Sequence, residues 1–288
     1  MKHCYVLLLF ALPALGLLDG CTPETDLDEL DYTPKLVVDG SIENRQPPRV
    51  VLSHSASYFD NIDSASIRKL METTAKVTVS DGEHQEILTL QPNRGFFPPY
   101  VYEANTMRGE VGKTYTLTID LKGKRYTATT TIPTPPSLDS LWFELTPGKD
   151  SLGYLYGRLS DPPDVANYYR VFTQRQTTDD RYIPMYQSAV GDQYFNGKQF
   201  TFTILRGPDD FTNIVDDLYF SRGDTVFIKA CSIDRSHFDF WRTLERELYV
   251  VGNPFASSGN DILSNITGDN VLGVWGGYGS TYYRTIIR

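Results

Sequence analysis

The chain has 288 residues, 27 Lys and Arg against 36 Asp and Glu, a net charge of -9, and 40% hydrophobic and 13% aromatic residues. That supply of apolar side chains is enough for a sizeable core, and at about 100 to 200 residues per domain the length suits two domains. With a pI near 5.0 and no basic stripe, nucleic acid is excluded as a partner, because phosphate contacts need clustered Lys and Arg.

Lys2 and His3 give a basic start, and Tyr5 to Leu18 is almost wholly apolar, broken only by Pro13 and Gly16. This is the pattern of a secretory signal, assigned to residues 1–20, and it is shorter than the about 20 apolar residues that a membrane-spanning helix needs. The segment ends in Leu18-Asp19-Gly20-Cys21, which resembles a bacterial lipobox, where a small residue precedes a cysteine that is acylated and becomes the new N-terminus; Asp19 departs from the usual small or aliphatic residue. The resemblance implies lipidation at Cys21 and a lipid anchor in a membrane. Cys4 then leaves with the signal and Cys231 is the one remaining thiol in an oxidising compartment, so no intramolecular disulfide is expected. Within TVFIKACSI, Cys231 is expected to be a small buried hydrophobe.

Residues 21–34 form an acidic tether. Glu24, Asp26, Asp28, Glu29 and Asp31 all precede the first base, Lys35, and such a like-charged, aromatic-poor stretch has too little apolar surface to fold. It resembles the acidic export signal that follows the acylated cysteine of Bacteroidetes surface lipoproteins, which implies an outer-membrane location facing the cell exterior. A plain solvated linker is the alternative.

From Lys35 to Ile132 the pattern is short alternating strands: KLVVDGSI, RVVLSHS, AKVTVS, EILTL, YVYEA, KTYTLTIDL and RYTATTTI. Asp81-Gly82 and Lys122-Gly123 supply the positive φ angles of tight hairpin turns. Seven strands at this spacing predict an immunoglobulin-like sandwich over 35–132, without the cysteines and tryptophan of a true immunoglobulin domain. The prolines of IPTPPS, 132–137, make a stiff connector. A second β-rich domain follows over 138–288, with strands in LWFEL, YLYGRLS, YYRVFTQR, QFTFTIL, DTVFIKACSI and YYRTIIR. One helix interrupts it near 236–250, where Ser236 and Asp239 form a capping box and Gly252 follows the last turn. Phe238, Trp241, Leu244 and Leu248 share one helix face and are expected to pack on a sheet. The fold class is therefore all-β with one helix.

No catalytic residue, metal site or cofactor is signalled. His3 lies in the signal, and His54, His84 and His237 are scattered without metal-ligand spacing and are expected at the surface or in caps. Ser280 in GYGSTYY lacks the Gly-x-Ser-x-Gly order of a nucleophile turn. The doublets Asp179-Asp180, Asp209-Asp210 and Asp216-Asp217 fit neither a calcium loop nor, within one strand, a pair of opposed carboxylates. Asn265-Ile266-Thr267 matches a eukaryotic glycan acceptor, and Asp63-Ser64-Ala65, Asp139-Ser140-Leu141 and Asp150-Ser151-Leu152 resemble a short O-glycosylation acceptor of exported Bacteroidetes proteins. Two aromatic segments are candidate binding surfaces: Phe96, Phe97, Tyr100 and Tyr102 around two prolines, and Trp275 and Tyr278 among glycines. Exposed aromatics stack on sugars or anchor protein partners; packing into a sandwich core is the other reading of both.

LVVDGSI, VTVSDG, GKTYTLTI, RYTATTTI, GDTVFIKACSIDRSHFDFWRTL and GNPFASSGNDILSNITGDNVLGVWGGYGSTYYR, in this order, resemble the Bacteroidetes outer-membrane lipoprotein family catalogued as domain of unknown function 4249. Asn253-Pro254-Phe255, Ser264-Asn265-Ile266 and Gly276-Gly277-Tyr278 carry the most specific part of the match. The family has no established activity, and its members are typically encoded beside TonB-dependent transporters. The resemblance thus implies a non-enzymatic accessory or binding component of nutrient uptake, with an outer-membrane transporter as partner. A structural or adhesive surface protein is the alternative.

Overall fold

The computed structural model describes residues 32–57, 63–93, 99–208, 218–250 and 261–288. The leader, Cys21 and the acidic run lie outside the described residues. In the first half the chain forms β1 (Leu36–Glu43), β2 (Arg49–His54), α1 (Ser64–Leu70), β3 (Lys76–Ser80), β4 (Gln85–Ile87), β5 (Thr89–Pro92), β6 (Tyr100–Glu103), β7 (Thr114–Leu121) and β8 (Lys124–Thr131). The second half adds β9 (Leu138–Leu145), β10 (Leu152–Ser160), β11 (Tyr168–Arg175), β12 (Ile183–Gly191), β13 (Gln199–Ile204), β14 (Phe220–Ser221), β15 (Thr225–Ile233), α2 (Arg235–Val250) and β16 (Val271–Ile286). The protein is all-β with sandwich packing, as the alternation predicts.

The hairpin turns form where the sequence places them. Lys122 and Gly123 have φ of 49° and 79° between β7 and β8, and Gly82 has φ of 94°. Two local readings change. EILTL is two strands, because the chain crosses from one sheet to another at Leu88, which is buried. Ser64–Leu70 is helical, with Ser66 N–H donating to the Asp63 carboxylate at 2.7 Å, the bond that an N-cap aspartate accepts.

The larger correction concerns the two domains. An eight-stranded sheet runs in the order β12-β11-β15-β16-β1-β2-β6-β5, so strands from both sides of the proline segment share it, and 34–288 form one compact unit. Its centre is the parallel pairing of β1 with β16, Leu36 opposite Val271 through Glu43 opposite Tyr278. At about 3.3 Å per residue the sixteen residues of β16 extend some 50 Å, long enough to serve two cores. Its first half closes the core formed with sheet β4-β3-β7-β8, around Val38, Ile42, Leu117, Ile119 and Trp275. Its far end meets the core formed with β9, β10, β13 and β14, around Leu155, Ile204, Phe220 and Ile228. Successive side chains of a strand point to opposite faces, so the even-numbered residues of β16 look the other way, toward α2 and a charged groove.

Candidate functional site

α2 crosses that second face. Its N-cap is Asp234, whose carboxylate accepts from His237 N–H at 2.9 Å and from the Ser236 hydroxyl at 2.8 Å; the cap lies two residues before the expected Ser236, and Asp239 instead pairs with Arg235 and Arg242. Gly252 lies outside the described residues. The aromatic stripe packs on the sheet as expected, with Phe238 stacked on Tyr168 at 4.7 Å and Trp241 lying 3.5 Å from the guanidinium of Arg170. His237 is not at the surface. It is 1% exposed and packs so closely on β16 that a Cβ on Gly276 would fall 2.2 Å from its ring. Desolvation there pushes its pKa down to about 3, with the nearby Arg170 and Lys229 adding to the depression and Asp234 opposing it.

Arg170, 3% exposed, organises the floor beside the helix. It donates to the Tyr278 hydroxyl at 2.7 Å and to the Ser188 hydroxyl at 2.9 Å, and Ser188 in turn donates to Glu245 of α2. Burial raises the Glu245 carboxyl and the Tyr278 hydroxyl, against the lowering effect of Arg170. This network fastens α2 to β11 and β12 and holds Tyr278 in place.

Next to Tyr278 opens a groove of about 490 Å³, lined by Ser41, Glu43, Arg49, Glu103, Lys229 and Tyr282 among others. Strand register assembles it: Ser41 stands opposite Arg49, Arg49 opposite Glu103, Glu43 opposite Tyr278, and Lys229 opposite Tyr282. Residues far apart in sequence therefore form one row across five neighbouring strands. Lys229 Nζ meets Glu43 at 3.2 Å, with the two side chains 14% and 13% exposed, and sits 4.4 Å over the ring of Phe172 and 5.2 Å over that of Tyr278. Rings arranged in this way favour a cation over their faces. The Tyr282 hydroxyl donates to the other oxygen of Glu43, and burial together with that carboxylate raises its pKa. At the rim Arg49 pairs with Glu103 at 2.9 Å, and Arg49 is 53% exposed. The groove thus presents both signs of charge, a half-exposed tyrosine and a fixed buried ion pair, which suits recognition of a polar surface or solute.

Of the expected aromatic residues, Tyr278 forms part of this groove. Tyr100 is exposed on β6, away from the groove lining. Tyr102 and Trp275 are core residues: Tyr102 donates toward the Glu72 carbonyl at 3.4 Å, and Trp275, 0% exposed, donates its ring N–H to the Tyr115 carbonyl at 3.0 Å. Phe96 and Phe97 lie outside the described residues. Cys231 is fully buried, as expected, and burial raises its thiol to about 11. Sequence reasoning missed Glu43, Arg49, Lys229 and Tyr282. One signal was present, since Lys229 interrupts the otherwise apolar TVFIKACSI, and a charge within a buried strand requires a partner.

Among the described residues no group of three His, Cys, Asp or Glu is placed to hold a metal, and no helix is long and apolar enough to cross a membrane. The model of the family described as domain of unknown function (DUF4249) matches residues 22–284. That covers nearly the whole chain, and the protein belongs to this family. No curated protein matches it.

Proposed function

We propose that the protein is a lipid-anchored outer-membrane lipoprotein of Bacteroidetes type, facing the cell exterior, that acts as a binding accessory of TonB-dependent nutrient uptake. The observation that carries the binding role is the groove, in which both signs of charge and two tyrosines are fixed on a rigid sheet rather than on loops. The lipobox-like Leu18-Asp19-Gly20-Cys21 and the acids after it support the anchor and its outward face, and the family resemblance supports the transporter as partner.

Two measurements test the reading. An acyl chain contributes about 0.8 kcal/mol per buried methylene, and stable anchoring takes more than one chain, so Cys21→Ser is expected to shift the protein from the outer-membrane fraction to the soluble one. Retention of that variant in the membrane after a salt wash would refute the lipid anchor. Pull-down of the native protein from detergent-solubilised outer membranes is expected to recover a transporter barrel, and Arg49→Glu to reduce that recovery about tenfold, by placing like charge at the groove rim. Arg49 takes part in an exposed ion pair worth about 1 kcal/mol or less, so the variant should fold normally. Recovery of the lipoprotein alone from unaltered membranes would end the partnership, and undiminished recovery with Arg49→Glu would move the contact away from the groove.

A further inference from the structure

The second sandwich has a divided core. Leu155, Val171, Met185, Ile204 and Phe220 belong to one buried cluster, while Leu159, Tyr169 and Phe195 belong to another. Between them lies a cavity of about 200 Å³, walled by Leu159, Tyr169, Val171, Met185, Phe195 and Phe202. Phe200 stacks on Phe195 at 4.2 Å with the rings 5° apart, and on Phe202 at 6.1 Å and 9°, so three near-parallel rings make one continuous aromatic wall. The Tyr169 hydroxyl is engaged by Asp161, which leaves the ring of Tyr169 to line the cavity.

The cavity reaches the gap between β12 and β13, which are edge strands of different sheets. β12 is bulged there. Arg170 pairs with Ala189 but Phe172 with Pro184, so residues 185–188 stand opposite Val171 alone, and Gln187 has φ of 54°. Bulges of this kind re-aim side chains and end pairing beside binding sites. This one places Tyr186 and Gln187 in the cavity lining, where Thr203 of β13 joins them.

We propose that this cavity is a binding site for one small, neutral, ring-bearing molecule of one or two fused rings. Size sets the upper bound, since an apolar cavity of about 150 Å³ accepts benzene and one of about 200 Å³ has room for a second fused ring. Charge is disfavoured because no charged side chain lines the cavity among the described residues, and an ion buried without a partner is heavily penalised. The parallel phenylalanines favour an aromatic occupant through offset stacking, and the flexible thioether of Met185 adapts to its outline and contacts a ring favourably. The inference does not depend on how the protein is anchored or on which partner meets the charged groove.

The probe is 2-naphthol, titrated into the full chain labelled with ¹³C at the methionine methyls. Saturable binding is expected, with a ring-current shift of the Met185 methyl while those of Met71 and Met107, which lie away from the cavity lining, keep their positions. Leu159→Phe fills the cavity and is expected to weaken binding at least about tenfold. Should that variant fail to fold, Val190→Phe fills the same space from the opposite sheet, and the methyl shift in the unaltered protein decides without either. Absence of saturable binding up to the solubility limit of the probe would overturn the proposal. So would binding that shifts Met71 or Met107 and leaves Met185 in place, or unchanged affinity in a folded filled variant.

Discussion

Trp275→Ala is expected to lower the unfolding free energy by about 3–5 kcal/mol in a urea titration, the usual loss when a large buried aromatic is truncated. The side chain is 0% exposed, and its ring faces Gly40 across the parallel pair, where a Cβ would stand 2.8 Å from the ring. Gly40 has no side chain with which to occupy the space, so the removed volume remains as a void. The indole N–H bond to the Tyr115 carbonyl is lost as well, and a lost hydrogen bond adds about 1 kcal/mol. The comparison variant is Tyr100→Ala, which removes an exposed aromatic of β6 and should change stability by about 0.5 kcal/mol or less. A loss below about 1 kcal/mol for Trp275→Ala, or equal losses for the two variants, would contradict the assignment of Trp275 to the core.

The second large effect depends on pH. His237 has its native pKa pushed down to about 3 by burial, whereas an unfolded histidine titrates near 6.5. Below 6.5 the unfolded chain takes up a proton that the native protein resists, so the stability contributed by the neutral ring is fully present above pH 6.5 and is lost as pH falls toward 3. At about 1.4 kcal/mol per pH unit this amounts to about 2 kcal/mol by pH 5. Glu245 behaves in the opposite sense, because burial raises its native pKa and the native protein then holds the proton more readily than the unfolded chain. His237→Asn isolates the histidine contribution. Its stability at neutral pH should be lower, through lost packing on Gly276 and Tyr278, but its decline between pH 6.5 and 5 should be about 2 kcal/mol shallower than in the unaltered protein. Equal declines would show that His237 is solvated or already charged.

Local features of this fold could be read from the sequence because they depend on near neighbours. Period-two alternation in LVVDGSI and KTYTLTIDL marks strands with one buried face, and Lys122-Gly123 marks the turn that joins two of them. Pairing across long separations was not readable. Nothing in LVVDGSI indicates that its neighbour is VLGVWGGY, and without that partner Trp275 could be placed either on a surface or in a core. The same gap hid the groove. Ser41 and Glu43 look like the solvent side of an ordinary strand until β2, β6, β15 and β16 bring Arg49, Glu103, Lys229 and Tyr282 beside them. His237 was misplaced for a related reason, since only the close approach that Gly276 permits lets a helix residue sink onto the sheet. What did locate Tyr278 was its setting among glycines, although those glycines admit neighbouring chain segments rather than projecting side chains into solvent.

The pairing of β1 with β16 also constrains how the protein reaches its native state. Asn44 and Ser280, 236 positions apart, bond to one another beside that pairing, and β16 supplies a wall to both cores. A ribosome delivers β1 well before β16, so the middle of the large sheet stays unpaired while the chain between them is made. Non-local contacts of this kind make folding slow, because the entropy of closing a long loop is lost before the contacts form. Under the export proposed above, that delay is useful: a polypeptide that has not yet closed its central sheet remains extended enough to be threaded across a membrane, and it becomes rigid once β16 joins β1.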